Sequence, residues 1–233
     1  MADQLDSRPL FVIVMGCNGC GKSAWKRSHY DLLPDQYFDQ DSIAGGIGDW
    51  DSEDARRRTE EIVEAEIAKA IRDRLSFGIE STYSGRPGRA RVEQARQAGY
   101  RIEGIYLGTG SPDINIARIE QRVLERTGHR VDPKLIPQRY RFSLSNLRRT
   151  VERFDQLEVL DNSRDDPLGI PDPVEQCCLE RGKVVSRLGE RDMADWCISW
   201  LNGVEQSLAD KKRLLERQRR REAHERGRGG RGR

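Results

Sequence analysis

Long apolar runs are scarce in this 233-residue chain, and their scarcity excludes a membrane-spanning helix. Spanning a bilayer takes about 20 consecutive apolar residues, whereas the run Leu10-Phe11-Val12-Ile13-Val14-Met15 stops after six. The N-terminal Met1-Ala2-Asp3-Gln4-Leu5-Asp6 is polar and acidic, unlike a secretory leader, so a cytoplasmic location is expected. Cysteines number five, an odd count that does not suit a disulfide framework in a chain of this size. The three histidines and the cysteines fall in no zinc-ligand spacing. Asn-Lys-x-Asp, the guanine-reading sequence, is absent, and so is an ABC-type signature. Both absences weigh against a non-enzymatic nucleotide-binding switch.

Charge of one sign is missing overall but not locally. The net charge is +2, yet Lys211 to Arg233 carries 11 basic and 3 acidic residues, a balance of +8. The remaining body is therefore acidic, at −6. An Arg/Gly tail over 226–233 has little apolar surface to bury and is expected to be disordered. It could bind RNA or another polyanion weakly through phosphate neutralisation, although it lacks interleaved aromatics.

What is present concentrates after the first apolar run. Gly16-Cys17-Asn18-Gly19-Cys20-Gly21-Lys22-Ser23 joins that run to a helix-forming segment. A strand, a glycine-rich turn ending in Gly-Lys-Ser and then a helix form the phosphate-binding loop of nucleoside triphosphate enzymes. Gly16, Gly19 and Gly21 allow the backbone N–H groups, including those of Asn18 and Cys20, to turn inward around a β-phosphate. Lys22 would reach the β- and γ-phosphates and Ser23 would offer its hydroxyl to Mg²⁺, so ATP and Mg²⁺ are the expected cofactors. Cys17 and Cys20 form a C-x-x-C pair near a lysine and a helix start. Lowered thiol pKa values and a redox role follow from that placement; small residues filling the loop are the plainer reading.

Periodicity fills in the rest. Strands are expected at Gln36–Asp41, Phe77–Thr82, Tyr100–Leu107 and Leu157–Asp161. Helices are expected at Glu53–Leu75, Pro87–Ala98, Asp113–Arg126, Pro133–Phe154 and Asp192 to about Glu225. Strands spaced by helices predict an α/β fold: a P-loop NTPase-type parallel five-stranded sheet flanked by helices. A C-terminal β-hairpin with a Glu180-Arg181-Gly182 turn and a long helix follow. The expected division is a kinase domain over 1–190, with a lid at about 113–135 and the hairpin at about 173–188. A helix over 191–225 and the tail over 226–233 complete it.

The order of landmarks resembles the zeta-toxin family of P-loop kinases in its stand-alone bacterial form. The likeness spans roughly residues 10 to 165. It rests on the Gly16–Ser23 loop, Asp41-Ser42-Ile43, Glu80-Ser81-Thr82-Tyr83-Ser84-Gly85 and Tyr106-Leu107-Gly108. Further landmarks are Arg118 to Arg122, Gly128-His129, Arg139-Tyr140 with Ser143 to Leu147, and Asp161-Asn162-Ser163. The resemblance implies a phosphotransferase with an alcohol acceptor, moving the ATP γ-phosphate to a UDP-N-acetyl sugar such as UDP-N-acetylglucosamine. It also implies a possible antitoxin partner. A polynucleotide or RNA kinase, or a kinase of another nucleotide-like metabolite, is the alternative, but the acidic body argues against a nucleic-acid groove.

On this resemblance Asp41 orients the acceptor hydroxyl, with Asp39 two residues earlier as the alternative carboxylate. Glu80 and Thr82, one pleat apart, fall on positions that bind the acceptor. Arg118, Arg122 and Arg126 line one helix face, and Arg122 matches the first lid arginine. Arg130 is the second choice for spreading transition-state charge. Many relatives carry an acidic residue at that position, which leaves Arg139 as the other candidate.

Overall fold

A computed structural model describes residues 6–47, 52–125, 131–164 and 172–229. The side chains of residues 41, 42, 45, 56 and 221–229 lie outside that description. Seven strands form one sheet: β1 Leu10–Met15, β2 Gln36–Phe38, β3 Phe77–Ser81, β4 Arg101–Gly108, β5 Gln156–Asp161, β6 Val174–Glu180 and β7 Lys183–Arg187. Their order is β2-β3-β1-β4-β5-β6-β7. The first five run parallel, as predicted, and the hairpin adds antiparallel to β5. The hairpin therefore widens the main sheet. Its two turn residues, Arg181 and Gly182, both have positive φ (48° and 82°), the backbone that a two-residue turn between twisted strands requires.

β1 lies between β3 and β4 and is buried on both faces, which explains its unbroken apolar run. Phe11, Ile13 and Met15 enter the larger core with Val63 and Ile67, Val92, Leu147 and Trp200. These come from α3 Glu53–Asp73, α4 Arg86–Gln97, α6 Ile136–Thr150 and α7 Asp195–Gly229. Val12 and Val14 face the other way, against Trp25 of α1 Lys22–Ser28. Because β1 and β4 are neighbours whose flanking connections leave in opposite directions, ligands are expected at the carboxyl end of β1.

Two expectations change here. β2 ends at Phe38, and α2 Gln40–Ile47 starts where a strand reaching Asp41 was expected. The Asp39 carbonyl accepts from the Ile43 amide at 3.0 Å, opening that helix despite Gly45 and Gly46. Asp39 and Asp41 thus stand at a strand-to-helix junction rather than on one strand face. The helix expected over Pro133–Phe154 is also divided, into a 3-10 turn Pro133–Leu135, α6 and a 3-10 turn Val151–Arg153. Among the described residues no helix is long and apolar enough to cross a membrane.

Candidate active site

The glycines of the loop are required by its geometry. Gly16, Gly19 and Gly21 have φ of 143°, 82° and 97°, values that L side chains rarely adopt. A Cβ on Gly16 would come within 2.3 Å of the Leu107 carbonyl oxygen, and one on Gly19 within 2.4 Å of the Asn115 carbonyl oxygen. The loop is held from three other elements. Asn115 of α5 Pro112–Leu124 donates to the Asn18 carbonyl at 2.7 Å, and Asn162 at the end of β5 donates to the Cys20 carbonyl at 2.7 Å. Arg139 of α6 donates to the Asn18 side-chain oxygen at 2.9 Å. Among the described residues the backbone N–H groups of Gly19, Gly21 and Ser23 donate to no backbone carbonyl. Gly21 caps α1 without a side-chain bond. Uncovered amides at the mouth of a glycine-walled loop suit a phosphate. Ser23, in the first turn of α1, is the residue here that would hold Mg²⁺, the charge-neutralising partner of a bound triphosphate.

Lys22 folds back on the loop, donating to the Gly16 carbonyl at 2.9 Å and approaching the Cys17 carbonyl at 3.5 Å. Its ammonium thus lies against the loop's own carbonyls. Cys17 and Cys20 are both buried, and burial raises both thiols, Cys17 to about 11. This corrects the expectation of lowered values: desolvation outweighs the nearby Lys22 charge. Cys17 packs with Ile119 and Ile136, joining the loop to α5 and α6 as an apolar filler.

Across the β1–β3 ladder, where Val14 pairs with Glu80, lies an acidic cluster. The Lys26 ammonium pairs with the Asp39 carboxylate, sits 3.8 Å from Glu80 Oε1 and lies 5.2 Å from the Tyr37 ring centroid. Burial and then the charges of Glu80 and Asp39 push the Tyr37 phenol upward, so it stays neutral. Glu80 is in β3, while Thr82 lies beyond its end and hydrogen-bonds with Ser84 at 3.0 Å. The backbone places Asp41 in the first turn of α2 at this same edge, and its side chain lies outside the described residues.

The arginines expected to belong to a lid divide. Arg118 donates to the Asn162 carbonyl at 2.7 Å, and Arg122 is exposed on α5 with its Nε 3.4 Å from the Arg118 carbonyl. Arg126 and Arg130 lie outside the described residues. Arg139 contacts the phosphate loop at Asn18.

Several residues that build this site carried no role in the sequence reading: Lys26, Thr109, Asn115, Tyr140 and Asn162. Thr109 donates to the Asn115 side chain, and Tyr140 donates to the Thr109 carbonyl at 2.6 Å. A signal existed for Asn115, a polar residue on the same helical stripe as Ile119. Lys26, one turn beyond Lys22, had a weaker one.

A family model described as an AAA domain matches residues 11–141, more than half of the chain. An uncharacterised protein of Haemophilus influenzae is 29% identical over 133 residues, covering 55% of this chain and 91% of the relative. A chain from the PezAT chromosomal toxin-antitoxin system of Streptococcus pneumoniae aligns over 92% of this chain and 89% of its own, with TM-score 0.54 and 14% identity. A chain from the AvrRxo1-ORF1:-ORF2 complex with ATP aligns over 84% of this chain and 64% of its own, with TM-score 0.61 and 10% identity. At these identities the two structures share a fold with this chain.

Proposed function

The chain belongs to the AAA-domain family and has the zeta-toxin-like P-loop kinase fold, and from that premise we propose that it transfers the ATP γ-phosphate to a hydroxyl of a small molecule. The acceptor proposed is a UDP-N-acetyl sugar such as UDP-N-acetylglucosamine. One observation carries the reading: a glycine-walled loop with uncovered amides stands one strand away from the Glu80 carboxylate.

In this mechanism the loop amides hold the β-phosphate. Lys22 exchanges the Gly16 and Cys17 carbonyls for the β- and γ-phosphate oxygens. Asp41 aims the acceptor hydroxyl and takes its proton as the oxygen–phosphorus bond forms. Glu80 and Thr82 hold the acceptor, and Arg122 spreads the developing charge with either Arg130 or Arg139. PezAT is a toxin-antitoxin system, and a proteinaceous antitoxin is the partner proposed for this chain.

Incubation with Mg²⁺, labelled ATP, UDP-N-acetylglucosamine and a panel of nucleotides and hydroxyl acceptors tests the reaction, the product being identified by mass. ADP release that requires no acceptor would refute it. Asp41→Asn is expected to lower turnover by about 100-fold or more with the ATP KM little changed. Glu80→Gln is expected to raise the acceptor KM more than that of ATP.

A further inference from the structure

Lys26 lies outside the phosphate loop, and its ammonium engages two carboxylates on the proposed acceptor side. It lies one helical turn after Lys22, so both leave the same face of α1. Lys22 turns to the loop, and Lys26 crosses to the strands on the other side of the site. The Lys26, Asp39 and Glu80 side chains are 18%, 21% and 11% exposed. The ammonium and both carboxylates are largely withdrawn from water, so holding them together costs desolvation that their attraction has to offset. The Tyr37 ring backs the ammonium and keeps water from that side.

We propose that Lys26 is a positioning residue of the acceptor pocket. It holds the Asp39 and Glu80 carboxylates side by side at the carboxyl edge of β2 and β3. Carboxylates so held accept hydrogen bonds and donate none. The part of the acceptor that meets them is then a hydrogen-bond donor, such as ring hydroxyls or an amide N–H. Without the ammonium the Asp39 and Glu80 carboxylates lose the cation that bridges them, and the pocket loses its geometry before the phosphate loop is affected. The inference rests on the kinase reading and specifies its acceptor chemistry.

The test compares the full-length wild type with Lys26→Met, Lys26→Arg, Glu80→Gln and the Lys26→Met/Glu80→Gln double variant, using Mg²⁺-ATP and UDP-N-acetylglucosamine or whichever panel acceptor the wild type phosphorylates. Lys26→Met is expected to raise the acceptor KM by about 10-fold or more while the ATP KM stays within about two-fold. Lys26→Arg, which keeps the charge, is expected to recover most of that loss. In the Glu80→Gln background Lys26→Met is expected to add less than about two-fold, because the two act through one arrangement. Should Lys26→Met fail to fold, Lys26→Gln carries the same expectation. A lower melting temperature with an unchanged acceptor KM, or fully additive losses in the double variant, would overturn the proposal while leaving the kinase reading intact. A wild type that phosphorylates no acceptor of the panel overturns both.

Discussion

Single residues at the phosphate loop have little freedom. Gly19→Ala would place a methyl against the Asn115 carbonyl in a backbone region that disfavours side chains. A loss of about 1 to 3 kcal/mol of stability is expected, with weaker ATP binding, both measurable by denaturant titration and calorimetry. Cys17 gives a pH-dependent signature. Its thiol is raised from 9.0 to about 11 by burial, with the neighbouring Cys20 adding to the effect. Below pH 9 both folded and unfolded chains keep the proton, and the full stability is present. Between pH 9 and 11 the unfolded chain releases it first, so stability falls, by roughly 2 to 3 kcal/mol from this group. Denaturation at pH 8 and pH 10.5 should show a smaller alkaline loss in Cys17→Ala than in the wild type, and equal losses would contradict the assignment.

At the scale of elements, α6 is the brace of the site. Its first turns reach the phosphate loop through Arg139 and the end of β4 through Tyr140. Ser143 donates to the Thr82 carbonyl at 2.8 Å, and Asn146 donates to the Tyr83 carbonyl at 3.0 Å. Tyr83 sits at φ 54°, a costly conformation for an aromatic residue, and its hydroxyl meets Thr150 at 2.9 Å. The strained turn after β3 is therefore held from α6. Asn146→Ala is expected to cost about 1 to 3 kcal/mol by leaving the buried Tyr83 carbonyl unpaired. It should also raise the acceptor KM several-fold with less effect on ATP, which steady-state kinetics would check. In the sequence Ser143 to Leu147 stand out only as a landmark, since hydrogen bonds between residues some 60 positions apart leave no periodic trace.

Across the whole molecule, charge separates into an acidic body and a basic helix. From Ala209 to Arg220 every side chain of α7 is exposed, while Lys211 still pairs with Glu152 next to α6. If catalysis resides in the sheet and its loops, a chain ending at Lys211 should keep turnover within about two-fold on a small acceptor. Polyanion binding by the full chain should weaken steeply with added salt and be lost in the shortened one, as fluorescence titration with RNA would show. Turnover of a polynucleotide that collapses with this truncation would favour the polynucleotide-kinase alternative.

The amino-acid order alone determined the phosphate loop, the alternation of strands and helices and the hairpin turn, because each depends on local backbone preference or short-range periodicity. It also singled out Lys22, at the close of the glycine loop, and through the family resemblance Glu80, which lies near the end of β3, as candidate site residues. Only the tertiary structure decided that Asp39 and Asp41 straddle a strand-to-helix junction. The same holds for the burial that raises the loop thiols instead of activating them, and for Lys26 gathering the carboxylates of Asp39, just after β2, and Glu80 of β3. Those outcomes depend on desolvation and on contacts between distant segments, which exist only once the sheet has brought the segments together.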